Sequence, residues 1–204
     1  MLKVGDSIPA FSLMSEAGQV SSASLSGQRY VLYFYPKDDT PGCTVEACNF
    51  RDNLARFNGA GLPIYGVSPD TLASHAKFTT KYGLNFPLLA DPDHQLIEAV
   101  GAWVEKNRYG RKYMGVQRST FVVGSDGRVE KVWEKVTPDG HAAEVLAYLQ
   151  APAEAPQGAV PAASRVAVSK KAVAKKPAAK KPAAKKPAAK KPAAKKPAAK
   201  SKPR

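Results

Sequence analysis

Cysteine is nearly absent from this 204-residue chain: there are two, Cys43 and Cys48, with four residues between them. A secreted domain stapled for stability carries more cysteines closing longer loops, so a disulfide scaffold is excluded. Histidine is also scarce. His75, His94 and His141 follow no metal-ligand spacing, and two cysteines fall short of the four donors usual for zinc. No apolar run approaches the roughly 20 residues that span a bilayer. Met1 to Asp6 lacks the apolar stretch of a secretory signal, so a cytoplasmic protein without membrane insertion is expected. Acidic residues almost vanish near the end: residues 151–204 hold 14 Lys and 2 Arg against Glu154 alone. Residues 1–150 hold 15 basic and 16 acidic side chains, so the overall charge of +14 belongs to the tail. The chain thus divides into a domain at 1–150, large enough for a core, and a basic tail at 151–204.

Within the domain, Val31 to Tyr35 is β-branched and aromatic, stops at Pro36, and reads as a buried strand. Thr40 suits a helix cap and Pro41 its first position. Val45, Phe50, Leu54 and Phe57 then suggest one apolar helical face, ended by Asn58-Gly59 and Gly61. Pro63 to Ser68 is a second strand and Asp70 to Tyr82 a second helix, with Leu72, His75, Phe78 and Tyr82 at helical spacing. Phe86 to Leu89 reads as a strand segment and Asp93 to Val100 as a short helix, with Asp91 and Asp93 as loop and cap residues. Trp103 and Tyr113 read as packing residues. Thr120 to Val123, the turn 124–127 and Arg128 to Trp133 form a hairpin. Asp139 to Leu149 closes the domain as a helix with Ala143, Val145, Leu146 and Leu149 inward. The fold class is α/β, a central mixed sheet flanked by helices.

A close cysteine pair in a reducing compartment points to redox chemistry or metal binding, the bland alternative being two buried, inert thiols. A thiol reacts as its thiolate, and the first turn of a helix favours negative charge through unpaired N–H groups and the helix dipole. Cys43 stands there. Gly42 leaves room for a small substrate, while Asp38 and Asp39 would oppose a thiolate, so some positive group must outweigh them. In a continuous helix, residues five apart lie about 7.5 Å apart along the axis and about 140° around it. Their Cα atoms are then beyond the roughly 7 Å limit for a disulfide, so bridging Cys43 and Cys48 demands local unwinding.

Pro36-Lys-Asp-Asp-Thr40-Pro-Gly-Cys43 resembles the peroxiredoxin pattern Pro-x-x-x-Thr-x-x-Cys. Its continuation, Thr44-Val-Glu-Ala-Cys48-Asn-Phe-Arg-Asp52, is similar to the bacterioferritin comigratory protein (Q-type) subfamily, and the stretch from Tyr109 to Phe121 resembles the segment carrying that family's active-site arginine. The resemblance implies a thioredoxin-like fold and a peroxidase, usually monomeric, that reduces hydrogen peroxide and organic hydroperoxides. It implies that Cys43 is the peroxidatic and Cys48 the resolving cysteine, joined in an intramolecular disulfide that thioredoxin or a similar dithiol recycles. Thr40 would hydrogen-bond the peroxide, Pro36 shield the pocket, and Arg118 supply the missing positive charge. No metal or organic cofactor is implied.

From Ala151 the composition changes, ending in five perfect copies of Lys-Lys-Pro-Ala-Ala from Lys175 to Ala199. Proline in every repeat blocks a helix and paired lysines repel, so an extended, disordered tail is expected. Its composition resembles the tails of linker histones and some bacterial nucleoid proteins. Lys175, Lys176, Lys180, Lys181, Lys185, Lys186, Lys190, Lys191, Lys195 and Lys196 would neutralise phosphates of DNA or RNA without reading bases, giving nucleoid association. No aromatic residue follows Tyr148, which leaves the tail no base stacking. A plain solubilising charge run is the bland reading. Two alternatives to a scavenging peroxidase are a sensor relaying its disulfide and a nucleoid-associated binding protein.

Overall fold

Tyr30–Phe34 (β3) is buried at every residue, which a strand can achieve only at the middle of a sheet covered on both faces. The computed structural model describes residues 1–150 other than Tyr109. In chain order the elements are β1 (Ser12–Ser15), β2 (Gly18–Ser21), β3, α1 (Pro41–Gly59), β4 (Ile64–Ser68), α2 (Leu72–Tyr82), β5 (Leu88–Ala90), α3 (Gln95–Ala99), β6 (Trp103–Arg108), β7 (Arg111–Val116), β8 (Ser119–Val123), β9 (Val129–Glu134) and α4 (His141–Gln150). Seven strands form one sheet in the order β2-β1-β5-β4-β3-β8-β9, and β6 and β7 pair separately. The centre is parallel, β3 to β4 and β4 to β5, and both flanks are antiparallel. The expected mixed sheet with helices is therefore present. The expectations for residues 151–204 lie outside the described residues.

The period-2 alternation of β3 divides the core. Val31 and Tyr33 join Phe50 and Phe57 of α1, Phe78 of α2, and Val145 and Leu146 of α4. Tyr30, Leu32 and Phe34 face the opposite layer, with Leu96 and Ile97 of α3, Phe11 and Phe121. Tyr33 stacks on Phe50, 4.8 Å between ring centroids, and so seats α1 on the strand. Gly66 of β4 makes room for that aromatic ring. A Cβ there would stand 2.7 Å from the Tyr33 ring and hydroxyl and from Leu88 Cδ2.

Several expectations need correction. The buried face of α1 is Cys43, Glu46, Ala47, Phe50 and Phe57, and Val45 is 43% exposed. Two residues after Cys43, Val45 is turned about 200° around the helix, away from the core. In α4 the inward residue is Ala142, with Ala143 exposed, because Ala142, Val145, Leu146 and Leu149 share the three- and four-residue spacing of one face. Leu72 is exposed at the start of α2. Asp91 holds α3, accepting the Gln95 and Ile97 amides at 2.9 Å each, while Asp93 is exposed. Trp103 does pack, stacked 4.0 Å from His94, but Tyr113 is 47% exposed on β7. The β1–β2 and β6–β7 pairs were not expected. Their apolar and polar residues do not alternate regularly, so neither shows a clear period of two.

Candidate functional site

Strand β3 delivers the chain to Pro36 just past its C-terminal end, and α1 begins five residues later. Thr40 occupies the N-cap with extended backbone and Pro41 the first helical position. The Thr40 side chain does not cap, contrary to expectation. Its hydroxyl donates instead to the Lys37 carbonyl, 3.2 Å away. The first-turn amides of Gly42 and Cys43 are thereby left without a side-chain cap, at the positive end of a 19-residue helix.

Cys43 lies in that first turn, 1% exposed and in the apolar cluster with Tyr33, Ala47 and Phe50. Its sulfur is not isolated. Arg118, between β7 and β8, donates from Nη2 to Cys43 Sγ at 3.1 Å. The structure thus joins residues 75 apart in sequence at one sulfur. Pro36 and Thr40 are partly buried on the loop leading into α1, and Cys48 is partly buried further along it. Both thiols are free, and α1 runs unbroken through both.

Sequence reading missed Glu46. It is 1% exposed on the same face of α1, three residues after Cys43, and its Oε2 pairs with Arg118 Nη1. Its other oxygen has no hydrogen-bond partner. Burial pushes its carboxyl up to about 7, and the adjacent guanidinium pulls only partly against this. For Arg118 burial disfavours the charge, but Glu46 and Cys43 outweigh it and raise the guanidinium further. The two partners pull in different directions. Arg118 is the charged member throughout, because a guanidinium hardly deprotonates in proteins. The proton on Glu46 therefore decides how many anions share Arg118. The signal in the sequence was an acid three positions from the cysteine, on the side the helix buries. Lys106 of β6 also approaches this region. Its ammonium donates to the Val116 carbonyl at 2.5 Å, and burial and Arg118 lower its affinity for a proton.

Asp38 and Asp39, expected to weigh on the sulfur, are engaged by α2 instead. The Asp38 carboxylate accepts the Tyr35 hydroxyl at 2.8 Å, the Ser74 hydroxyl at 2.7 Å and His75 Nδ1 at 2.9 Å. Burial would raise its carboxyl, but these donors outweigh that and hold it below the ordinary carboxylate range. The Asp38 amide donates to Asp70 Oδ2 at 2.8 Å. Asp39, at φ 53°, binds Lys81 Nζ at 2.6 Å and the Tyr82 hydroxyl at 2.5 Å. His75, placed by its helical spacing in α2, is the buried partner of Asp38. Among the described residues no group of three or more His, Cys, Asp or Glu could hold a metal ion, and no helix is long and apolar enough to cross a membrane.

This arrangement can perform thiol chemistry: a sulfur at a helix N-terminus, a guanidinium on it, and a second thiol on the same helix. Comparison with known proteins agrees. The AhpC/TSA family model matches residues 4–132. The chain is 46% identical over 149 residues to a putative peroxiredoxin bcp of Coxiella burnetii, covering 72% of this chain and 99% of that protein. It is 44% identical over 150 residues to peroxiredoxin Bcp of Bacillus subtilis, covering 73% and 96%. Among solved structures, the Xanthomonas campestris bacterioferritin comigratory protein, studied for alkyl peroxide reduction through trapped intermediate and ligand complexes, matches with a TM-score of 0.66 and 43% identity, covering 69% of this chain and 90% of that one. The fold is thioredoxin-like, as expected.

Proposed function

Because the chain belongs to the AhpC/TSA family and is a peroxiredoxin enzyme, we propose that Cys43 is its peroxidatic cysteine, Cys48 its resolving cysteine, and thioredoxin or a similar dithiol its reductant. The observation that carries this reading is the 3.1 Å hydrogen bond from Arg118 to Cys43 Sγ at the start of α1. A guanidinium there favours negative charge on sulfur and offers a second N–H surface to a polar substrate. The Cys43 thiolate attacks one peroxide oxygen. The O–O bond breaks, the departing hydroxide or alkoxide takes up a proton as water or alcohol, and sulfur is left as sulfenic acid. Cys48 then attacks that sulfur, the S–S bond forms, and the displaced hydroxide leaves as water. The dithiol reduces the disulfide by exchange and is itself oxidised. Thr40 and Pro36 border the substrate oxygens, and hydrogen peroxide and organic hydroperoxides are the substrates.

In the helical form the two thiols lie too far apart to bond, since five residues of helix separate their Cα atoms by more than about 8 Å. The first turns of α1 therefore unwind during resolution. Intact mass after one equivalent of peroxide tests the assignment. Wild type should lose two hydrogens, Cys48→Ser gain one oxygen, and Cys43→Ser stay unchanged. A disulfide or sulfenic acid formed normally without Cys43 would refute it.

A second reading rests on the repeats. In it the paired lysines within residues 175–199 bind DNA or RNA without sequence preference and hold the enzyme at the nucleoid. Truncation at about residue 155 should leave peroxidase rates intact and abolish retention on DNA. Failure of the full chain to retard DNA at low salt would remove this reading.

A further inference from the structure

Cys43 is 1% exposed, yet its proposed reaction brings a peroxide oxygen to its sulfur, so one side of the site has to give. The sides differ in how firmly they are held. Apolar core lies against the cysteine through Tyr33, Ala47 and Phe50. The loop carrying Pro36 and Thr40 is bound twice to α2, by Asp38 through Ser74 and His75 and by Asp39 through Lys81 and Tyr82. Arg118 is held by the buried carboxylate of Glu46.

The remaining neighbour is Pro138, in the irregular segment 135–140 that joins β9 to α4. A Cβ on Gly42 would lie 3.2 Å from Pro138 Cγ and 3.6 Å from Arg118 Nη2. The proline ring therefore sits over the residue beside Cys43, next to the guanidinium. The Gly140 carbonyl accepts the Ala143 and Glu144 amides of α4 at 3.0 and 3.2 Å, and among the described residues two further hydrogen bonds tie the stretch to the site. The Val136 amide donates to the Arg118 carbonyl at 3.2 Å, and the Asn49 side-chain amide donates to the Pro138 carbonyl at 3.4 Å. The second is at the weak end of hydrogen-bond lengths. Left-handed backbone marks both ends, at Lys135 with φ 56° and Gly140 with φ 75°. This strap is the least secured wall of the site.

We propose that Pro138 is a specificity-determining residue: with residues 135–140 it forms a movable wall over Cys43 that must lift to admit the alkyl group of an organic hydroperoxide. Hydrogen peroxide, lacking that group, needs a smaller displacement. This inference rests on the peroxidase reading and concerns which substrates that site takes. Asn49 directly follows Cys48, so unwinding of α1 during resolution would also strain the tether to the strap. Access and resolution then act on one segment.

The test compares two substrates in the full-length protein. Single-turnover oxidation of Cys43 is timed by rapid quenching and intact mass, with hydrogen peroxide and with cumene hydroperoxide. Pro138→Gly removes the ring, and Asn49→Ala removes the tether while sparing the ring. Either should raise the ratio of the cumene hydroperoxide rate to the hydrogen peroxide rate by about tenfold, the lower end of what small changes in an apolar pocket produce. A general loss of folded protein lowers both rates and leaves the ratio alone. A wild-type ratio in Pro138→Gly, or in Asn49→Ala should the first variant not fold, overturns the inference. Oxidation of wild type by neither peroxide, or undiminished peroxide consumption in Cys43→Ser, would overturn the peroxidase reading and this inference with it.

Discussion

Replacing Glu46 by Gln removes a titratable proton from beside Arg118 while keeping volume and shape. Glu46 is buried and its carboxyl is raised from 4.5 to about 7 by that burial, against the pull of Arg118. A group with a raised folded value contributes stability that is fully present below its unfolded value and lost as pH rises through its folded value. A shift of about 2.5 units corresponds to about 3 kcal/mol at roughly 1.4 kcal/mol per unit, most of it lost between pH 4.5 and about 7. The side-chain amide of the variant has no such dependence, so the difference between the two proteins isolates the single group. The assay is urea unfolding of the reduced wild type and Glu46→Gln from pH 4.5 to 8, monitored by tryptophan fluorescence. Relative to the variant, the wild type should lose stability across that range by a few kcal/mol. A difference that stays flat within about 0.5 kcal/mol would refute a buried titrating acid here. The variant also leaves Arg118 without a competing anion, so peroxide reactivity of Cys43 should depend less on pH around neutrality than in wild type.

Arg118→Met removes the donor on Cys43 Sγ and leaves Glu46 without its cation. The second-order rate with peroxide should fall about 10- to 100-fold, as expected for losing one charge-assisted hydrogen bond of about 1.5–3 kcal/mol, and stopped-flow oxidation kinetics read it directly. Gly66→Ala drives a methyl group to 2.7 Å from the Tyr33 ring and Leu88 Cδ2 in the sheet centre. About 1–3 kcal/mol of stability should be lost by urea unfolding. Asp38→Asn should cost about 1–3 kcal/mol near neutral pH, because His75 and two hydroxyls lose a charged acceptor. The Asp38 carboxyl is depressed in the fold, so its contribution is present above the unfolded value and fades as pH falls through the folded one. Unfolding at low pH should therefore show the two proteins converging.

Local chemistry was legible from the chain alone. Thr40-Pro41-Gly42-Cys43 begins a helix because proline fits a first turn and a cysteine two residues later falls among free amides, and α1 does begin at Pro41. Val31 to Tyr35 could be recognised as buried because β-branched and aromatic side chains in an unbroken run have nowhere else to go. The cation expected near Cys43 is there in Arg118, but the expected reason for it, repulsion from Asp38 and Asp39, fails because α2 engages both. The faces of α1 and α4 were read less well, since Val45 and Ala143 are as apolar as their buried neighbours and only the neighbouring layers choose among them. The weakly alternating β1–β2 and β6–β7 pairs carried no clear pattern to read. What distance along the chain could not supply was decided by the sheet. Pairing β3 with β8 brings the stretch before Ser119 alongside the start of α1, which sets Arg118 against Cys43 and Glu46. The same packing turns Asp38 and Asp39 to α2 and lays Pro138 over Gly42. Each of these contacts joins separate elements, and its energy exists only once a common core has already oriented them both.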